Sequence, residues 1–287
     1  MKTGLVLEGG GLRDLFTAAI LDVMMERGIR FDGIIGVSAG ATFGCNYKSH
    51  QPGRTLRYNK QMAGDWRYCS VRSWITTGDL VGAEFAYHTL PTEIDIFDNE
   101  TFQQDPTDFC LVCTDALTGR PIYHRVPSFD REGLEWLRAS ASLPIVSRPV
   151  KVGGYTMLDG GISDSIPLQY WQNQGYERNL VILTQPAGFQ KKLTRLMPLF
   201  RLFVRRYPAI IQAMGRRHEM YNAELAYVAA EQQKGNTLVL CPDEPLDIGR
   251  TEMNPDKMQQ IYEKGLAYAY EHIDEVERFV SGHQPHE

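Results

Sequence analysis

Ser38 sits in Gly36-Val-Ser-Ala-Gly40, a serine with glycine two residues to either side and a small residue after it. That spacing suits a nucleophile on a tight strand-to-helix turn. Side chains at the flanking positions would clash there, and the dipole of the following helix favours negative charge on the serine oxygen. A plain Gly/Ser-rich turn has the same pattern, so the chemistry depends on what else the chain supplies. A serine nucleophile needs a base. The histidines after residue 159 are His218, His272, His283 and His286, and none falls in a loop closing a core strand. Only two strand-like runs precede Ser38, whereas an α/β-hydrolase places several strands before its nucleophile and the acid and histidine after it. A triad therefore requires His124 or His272 to reach Ser38. Two further stretches can do chemistry. Glu8-Gly-Gly-Gly-Leu-Arg-Asp14 presents successive bare amides able to converge on an oxyanion, with the positive charge of Arg13 beside them. Leu158-Asp-Gly-Gly161 ends a later strand, and its glycines allow close approach to Asp159.

The elements that must position these residues follow from hydrophobic patterning. Residues 3–7 read as a short buried strand ending in glycines, and residues 15–27 carry helical spacing that stops at Gly28. A second strand covers 31–37 and a helix of small residues covers 39–47. This alternation predicts a parallel sheet covered on both faces. Residues 108–114 and 121–126 form a hairpin pattern, 134–141 a helix, and 149–158 a strand pair turning at Gly153-Gly154. Residues 180–184 and 237–240 are late buried strands. A long helix spans 255–280, with Asn254 as N-cap and Pro255 in its first position. Residues 48–100 show no usable periodicity, and the acidic stretches 93–100 and 243–247 read as solvated loops.

As a set and in this order, EGGGLR, GVSAG, ASASLP (residues 139–144) and DGG resemble the patatin-like phospholipases over roughly residues 4–175. The resemblance implies a three-layer α/β fold with a mainly parallel central sheet and helices on both faces. Residues 4–175 would be the catalytic core, and 176–287 would complete the fold. It further implies a Ser–Asp dyad with Ser38 as nucleophile and Asp159 as its base. The amides of Gly9, Gly10 and Gly11 would form an oxyanion hole supported by Arg13, with Gly36 and Gly40 shaping the elbow. The expected activity is hydrolysis of fatty-acyl lipid esters through an acyl-enzyme, with no metal or cofactor. The chain departs from the family at Asp14, where a glycine commonly follows the arginine; Asp14 offers itself as a helix N-cap instead. The rival readings are a lipid-binding module without activity and the triad esterase above. A dinucleotide site is excluded, because the sixth position of the glycine loop is not glycine and Asp32 opens the second strand rather than closing it.

Composition is that of an ordinary globular protein, and a net charge of -5 argues against nucleic-acid partners. The amino-terminal stretch predicts no signal peptide, and no apolar run is long enough to span a bilayer. The five cysteines predict reduced thiols and a cytoplasmic setting. Cys110 and Cys113 sit three apart on a strand and so face opposite ways, which excludes a shared metal. Residues 190–218 hold eight basic and no acidic residues, interleaved with leucine, phenylalanine and valine. Two readings stand side by side: a structural helix, or a segment docking through Lys191, Arg195, Arg201, Arg205 and Arg206 on the anionic inner face of a membrane. Pro198 and Pro208 break any single helix there.

Overall fold

A computed structural model describes residues 1–282 of the 287; His283 and His286 lie outside the described residues. Its strands are β1 (Lys2–Leu7), β2 (Gly33–Val37), β3 (Asp108–Asp115), β4 (Pro121–Arg125), β5 (Val150–Val152), β6 (Tyr155–Asp159), β7 (Tyr176–Ile182) and β8 (Thr237–Leu240). They form one sheet in the order β5-β6-β3-β2-β1-β7-β8, with β4 also paired to β3. The run β3-β2-β1-β7-β8 is parallel, while β4, β5 and β6 pair antiparallel. The helices are α1 (Asp14–Glu26), α2 (Ala39–Lys48), α3 (Arg54–Gln61), α4 (Val71–Thr77), α5 (Asn99–Gln104), α6 (Arg131–Ser140), α7 (Leu168–Asn173), α8 (Met197–Phe203), α9 (Pro208–Gln233) and α10 (Pro255–Ser281). A wide π-helical segment, Phe85–Ile94, lies between α4 and α5 and contains Pro91.

Alternation along the buried strands divides the interior in two. Leu5, Leu7, Ile34 and Cys113 join a core with α1, α2, α6 and α10. Val6, Ile35, Val37 and Cys110 join a second core with Trp171 of α7 and Tyr221 and Val228 of α9. Cys110 and Cys113 thus face opposite sides of the sheet, as their spacing requires. The three-layer arrangement is the one expected from the strand–helix alternation. α10 packs closely on α1, since a Cβ on Gly265 would lie 2.6 Å from the Phe16 carbonyl oxygen. Asn254 caps α10, accepting from the amides of Asp256 and Lys257 at 2.9 and 3.3 Å.

Two expectations are corrected. The acidic stretch 93–100 is not a simple solvated loop: Asp95 is buried and ion-paired to Arg54 at 2.9 Å and Arg57 at 2.7 Å. Asp14 is not an N-cap; its side chain makes no capping bond and turns into the interior. The segment 190–218 does break at its prolines, Pro198 lying in the first turn of α8 and Pro208 opening α9.

One edge of β3 is shared by two strands that meet end to end. β2 pairs with β3 up to Val37 opposite Val112, and antiparallel β6 arrives with Asp159 opposite Cys113. β4 fills the other edge over Cys110–Thr114, so β2 and β6 occupy the same one. The carboxyl end of β6 therefore abuts the carboxyl end of β2. The turn that follows β2 is packed against β1: a Cβ on Gly40 would lie 2.4 Å from the carbonyl oxygen of Glu8 and 2.7 Å from that of Leu7. Backbone cannot yield as a side chain would, so Gly40→Ala should lower unfolding free energy by about 1–3 kcal/mol in urea titrations. A loss within 0.5 kcal/mol would mean that this contact relaxes freely.

Candidate active site

Ser38 lies between β2 and α2 with φ 54° and ψ -123°, a backbone region costly to any residue with a side chain. The strain is held by its surroundings. The Ser38 amide donates to Ser140 Oγ at 3.0 Å, and Ser140 Oγ donates to the Val112 carbonyl at 2.7 Å. The Ser38 carbonyl accepts from Ala41, from Thr42 and from the Thr42 hydroxyl, opening α2 immediately. The glycine loop rests on this turn, since a Cβ on Gly9 would lie 2.6 Å from the Val37 oxygen and 2.8 Å from Ser38 Cβ.

Asp159 ends β6 and is 2% exposed. Its Oδ1 accepts from the Gly161 amide at 2.8 Å, and its amide donates to the Ser142 carbonyl at 2.9 Å. Its Oδ2 is buried and takes no hydrogen bond of ordinary geometry among the described residues. Burial pushes the carboxyl above the ordinary aspartate range; the Ser38 hydroxyl, Arg217, the Gly161 amide and Arg250 pull it back in smaller measure. The segment 139–144 thereby acquires a physical role. Ser140 holds the Ser38 amide while Ser142 holds the Asp159 amide, so one short stretch sets the two candidate residues relative to each other.

Ser38, Asp159, Gly9, Gly10 and Gly11 line one cavity. The Gly9 and Gly11 amides donate to no protein group among the described residues, whereas the Gly10 amide faces the buried Asp14 carboxyl. Gly11 has φ 65°, and its α-carbon is pressed against Arg250, whose carbonyl accepts from the Leu12 amide at 3.1 Å. Arg13 does not line the cavity. It lies behind the loop with Nη2 3.5 Å from Thr184 Oγ1. Asp14 is fully buried against Gly10; burial and the neighbouring Glu8 hold its carboxyl well above the usual range, which favours the neutral acid. Buried Glu8 ties three elements together, accepting from the Tyr221 hydroxyl at 2.6 Å and from the Thr184 amide at 2.7 Å.

The rest of the cavity is apolar. Phe43, Tyr58, Leu80, Leu90, Phe97 and Leu137 wall it, drawn from α2, α3, the π-helical segment, α6 and the loops between. No histidine lines it among the described residues. His124 stacks on Trp136 at 4.0 Å between ring centroids, and His272 lies on α10 beside Glu275 at 3.7 Å, so neither completes a triad. Sequence reasoning missed Arg217 and Arg250, which also line the cavity, and Glu8 as a hub. Arg217 was visible only as one charge in a basic run, and Arg250 had no motif around it.

The patatin-like phospholipase family model matches residues 5–170, and a domain of unknown function, DUF6363, matches residues 207–281. The chain belongs to the patatin-like phospholipase family. It is 25% identical over 96% of its length to lysophospholipase nte1 of Aspergillus oryzae, covering 18% of that protein. It is 28% identical over 65% of its length to the uncharacterized protein YjjU of Escherichia coli K12, covering 53% of that protein. Among solved structures, VipD from Legionella pneumophila aligns over 96% of this chain and 67% of its own, with a TM-score of 0.47 and 12% identity.

The Ser140 bridge makes a direct prediction. Ser140→Ala removes the acceptor for the Ser38 amide and should cost about 1–3 kcal/mol of stability. Ester turnover should fall roughly tenfold, because the strained turn loses the bond that fixes it. Denaturation and kinetics on the same preparation check both, and unchanged values would remove Ser140 from the positioning of Ser38.

Proposed function

We propose that the chain is a serine acyl hydrolase that cleaves fatty-acyl esters of lipids through an acyl-enzyme, with Ser38 as nucleophile and Asp159 as base. The observation that carries this reading is that Ser38, Asp159 with its unpartnered Oδ2, and Gly9 and Gly11, whose amides donate to no protein group among the described residues, line one mostly apolar cavity. As Ser38 Oγ bonds to the acyl carbon, its proton passes to Asp159, and the Gly9 and Gly11 amides receive the carbonyl oxygen as it becomes anionic. The Gly10 amide and the charge of Arg13 support the loop from behind. Collapse breaks the bond to the alcohol, which leaves with the proton from Asp159. Asp159 then takes a proton from water as the water oxygen bonds to the acyl carbon; collapse breaks the bond from the acyl carbon to Ser38 Oγ, Asp159 returns the proton to that oxygen, and the fatty acid departs. The apolar wall accommodates the acyl chain and keeps water from stabilising the charged aspartate, which keeps it basic.

An anionic membrane surface is the proposed setting. Leu193, Leu196, Leu199, Leu202 and Phe203 are exposed, whereas Phe200 and Val204 turn inward. Arg195, Arg201, Arg205 and Arg206 are exposed among them. Lys191 is removed from this group: it is partly buried with Nζ 3.7 Å over the Tyr221 ring, facing the interior. No helix among the described residues is long and apolar enough to cross a membrane.

Fatty-acid release from lysophospholipid micelles is the primary test. Ser38→Ala should reduce it to background and Asp159→Asn by at least about a thousandfold, with both variants folded by circular dichroism. Release that persists in both would sink the dyad, and retained lipid binding without any turnover in the intact chain would favour a binding module. The acid limb of kcat/KM should lie above the ordinary aspartate value of about 3.9, because activity requires ionised Asp159 and burial raises its pKa. Arg217→Gln should move the limb to still higher pH by withdrawing a cation that favours the carboxylate. A limb near 4 would contradict the buried base. Replacing Arg201, Arg205 and Arg206 together with Glu should weaken co-sedimentation with phosphatidylglycerol vesicles at least tenfold at low salt.

A further inference from the structure

The region matched by the domain of unknown function opens with α9, and one face of that helix carries three polar side chains turned toward the candidate site. Arg217, Tyr221 and Glu224 recur at helical spacing, with buried Met214 before them and buried Val228 after. On an ordinary surface helix such side chains would point to water. Here each grips the segment matched by the patatin-like model. Arg217 donates from Nε to the Gly161 carbonyl, and the Tyr221 hydroxyl donates to Glu8 at 2.6 Å. Glu224 accepts from the Ser165 amide at 3.2 Å and the Ile166 amide at 3.1 Å.

Glu224 also lies in hydrogen-bonding contact with a second carboxyl, that of Asp164, and burial pushes both above the ordinary carboxylate range. Two carboxyls in contact cannot both ionise cheaply, so a proton stays between them and the contact becomes a bond. Asp164 in turn accepts from the Tyr123 hydroxyl at 2.6 Å, and the Tyr123 ring lies flat on Tyr170 with 3.4 Å between centroids. The turn 160–166 is thus held by β4 on one side and α9 on the other. Within it, the grip reaches Asp159. Ser165 Oγ donates to the Gly161 carbonyl at 2.9 Å, the oxygen that Arg217 also bonds, and the Gly161 amide donates to Asp159 Oδ1 at 2.8 Å.

We propose that Glu224 is a positioning residue for Asp159: with Asp164 it clamps the 160–166 turn, so that Gly161 holds one carboxylate oxygen and leaves the other for the Ser38 proton. α9 is then a working part of the active site rather than an appended helix. The role given to Asp159 rests on the catalytic reading above; the clamp on the turn does not.

The test combines backbone hydrogen exchange of the turn with the kinetics of lysophospholipid hydrolysis, on variants of the whole chain. Glu224→Ala should speed exchange of residues 160–166 at least about tenfold. It should also lower kcat at least about tenfold with KM within about twofold, because no substrate contact is removed. Glu224→Gln should restore most of both, since its amide can donate to Asp164 while its carbonyl accepts from the two backbone amides. Ser165→Ala, a change too small to unfold the protein, cuts the link to Gly161 and should lower kcat at least about threefold. Glu231→Ala serves as the control, because Glu231 lies further along α9 and bonds Gln172 and Asn236 at 2.9 Å, away from the turn. It should lower the urea midpoint and leave both the exchange of the turn and kcat as they are in the intact chain. Unchanged exchange in Glu224→Ala overturns the clamp, and so do equal losses in Glu224→Ala and Glu231→Ala. Faster exchange with kcat intact, or full kcat in Ser165→Ala, overturns the positioning of Asp159. A Glu224→Gln protein as impaired as Glu224→Ala overturns the shared proton. Because exchange is read without substrate, absence of hydrolysis by the intact chain would defeat the catalytic reading alone.

Discussion

The arrangement depends on a single constraint of register: β2 and β6 run toward each other along the same edge of β3 and stop one residue apart. Val37 pairs with Val112 and Asp159 with Cys113, so the residues that follow one strand must sit against the end of the other. Neither a loop nor an induced movement is needed to bring Ser38 and Asp159 together, although they lie far apart in sequence. β4 on the opposite edge blocks any slippage of β6 to that side. A one-residue slip of β6 would turn Asp159 to the other face of the sheet. That explains why Gly160 must be bare: a Cβ there would lie 2.2 Å from the Val112 carbonyl oxygen, in the gap where the two strands meet.

Around that junction, buried polar groups are arranged so that each strained or charged atom is held by a different element. Ser38 is tied through Ser140 to β3, Asp159 through Ser142 to the end of α6, and Glu8 to β7 and α9. Each of these bonds contributes on the order of 1 kcal/mol, yet losing any of them leaves a buried group unsatisfied, which costs more. Polar networks of this type fix geometry more than they add stability. The apolar mass that stabilises the fold lies in the cores on either side of the sheet, and one of them supplies Phe43, Tyr58, Leu90, Phe97 and Leu137 to the wall of the cavity beside Ser38.

Legibility in the sequence followed regularity. The buried strands and the long terminal helix have periods that burial imposes, and the 237–240 strand and the α10 cap at Asn254 stand where the pattern puts them. The order EGGGLR, GVSAG, DGG located the candidate dyad because tight backbone approach admits almost no residue but glycine at those points. Residues 48–100 were unreadable for a physical reason. Their apolar side chains face a cavity rather than a helix face packed on a sheet, and the segment includes a π-helical stretch with Pro91 inside it, so neither the 3.6 nor the 2.0 period applies. Asp95 was misread because its burial depends on Arg54 and Arg57 of α3, about forty residues earlier in the chain, and no local pattern reports that pairing. Arg217 and Arg250 were hidden because a charge's meaning depends on whether an anion stands beside it, which sequence does not reveal.

A candidate aspartate base beside several arginines presents an apparent contradiction, because a direct ion pair would lower its pKa and leave it a poor proton acceptor. The structure resolves it by where each guanidinium is spent. Arg217 donates its Nε to a backbone carbonyl, that of Gly161, rather than to the carboxylate, and the Arg250 guanidinium makes no ion pair with it among the described residues. Both cations act on Asp159 at a distance, where their pull remains smaller than the penalty of burial, which is why the net shift is upward. Charge that would disable the candidate base if it were bonded to it is thus kept off it, provided that the carboxylate stays buried and Arg217 stays tied to the Gly161 carbonyl.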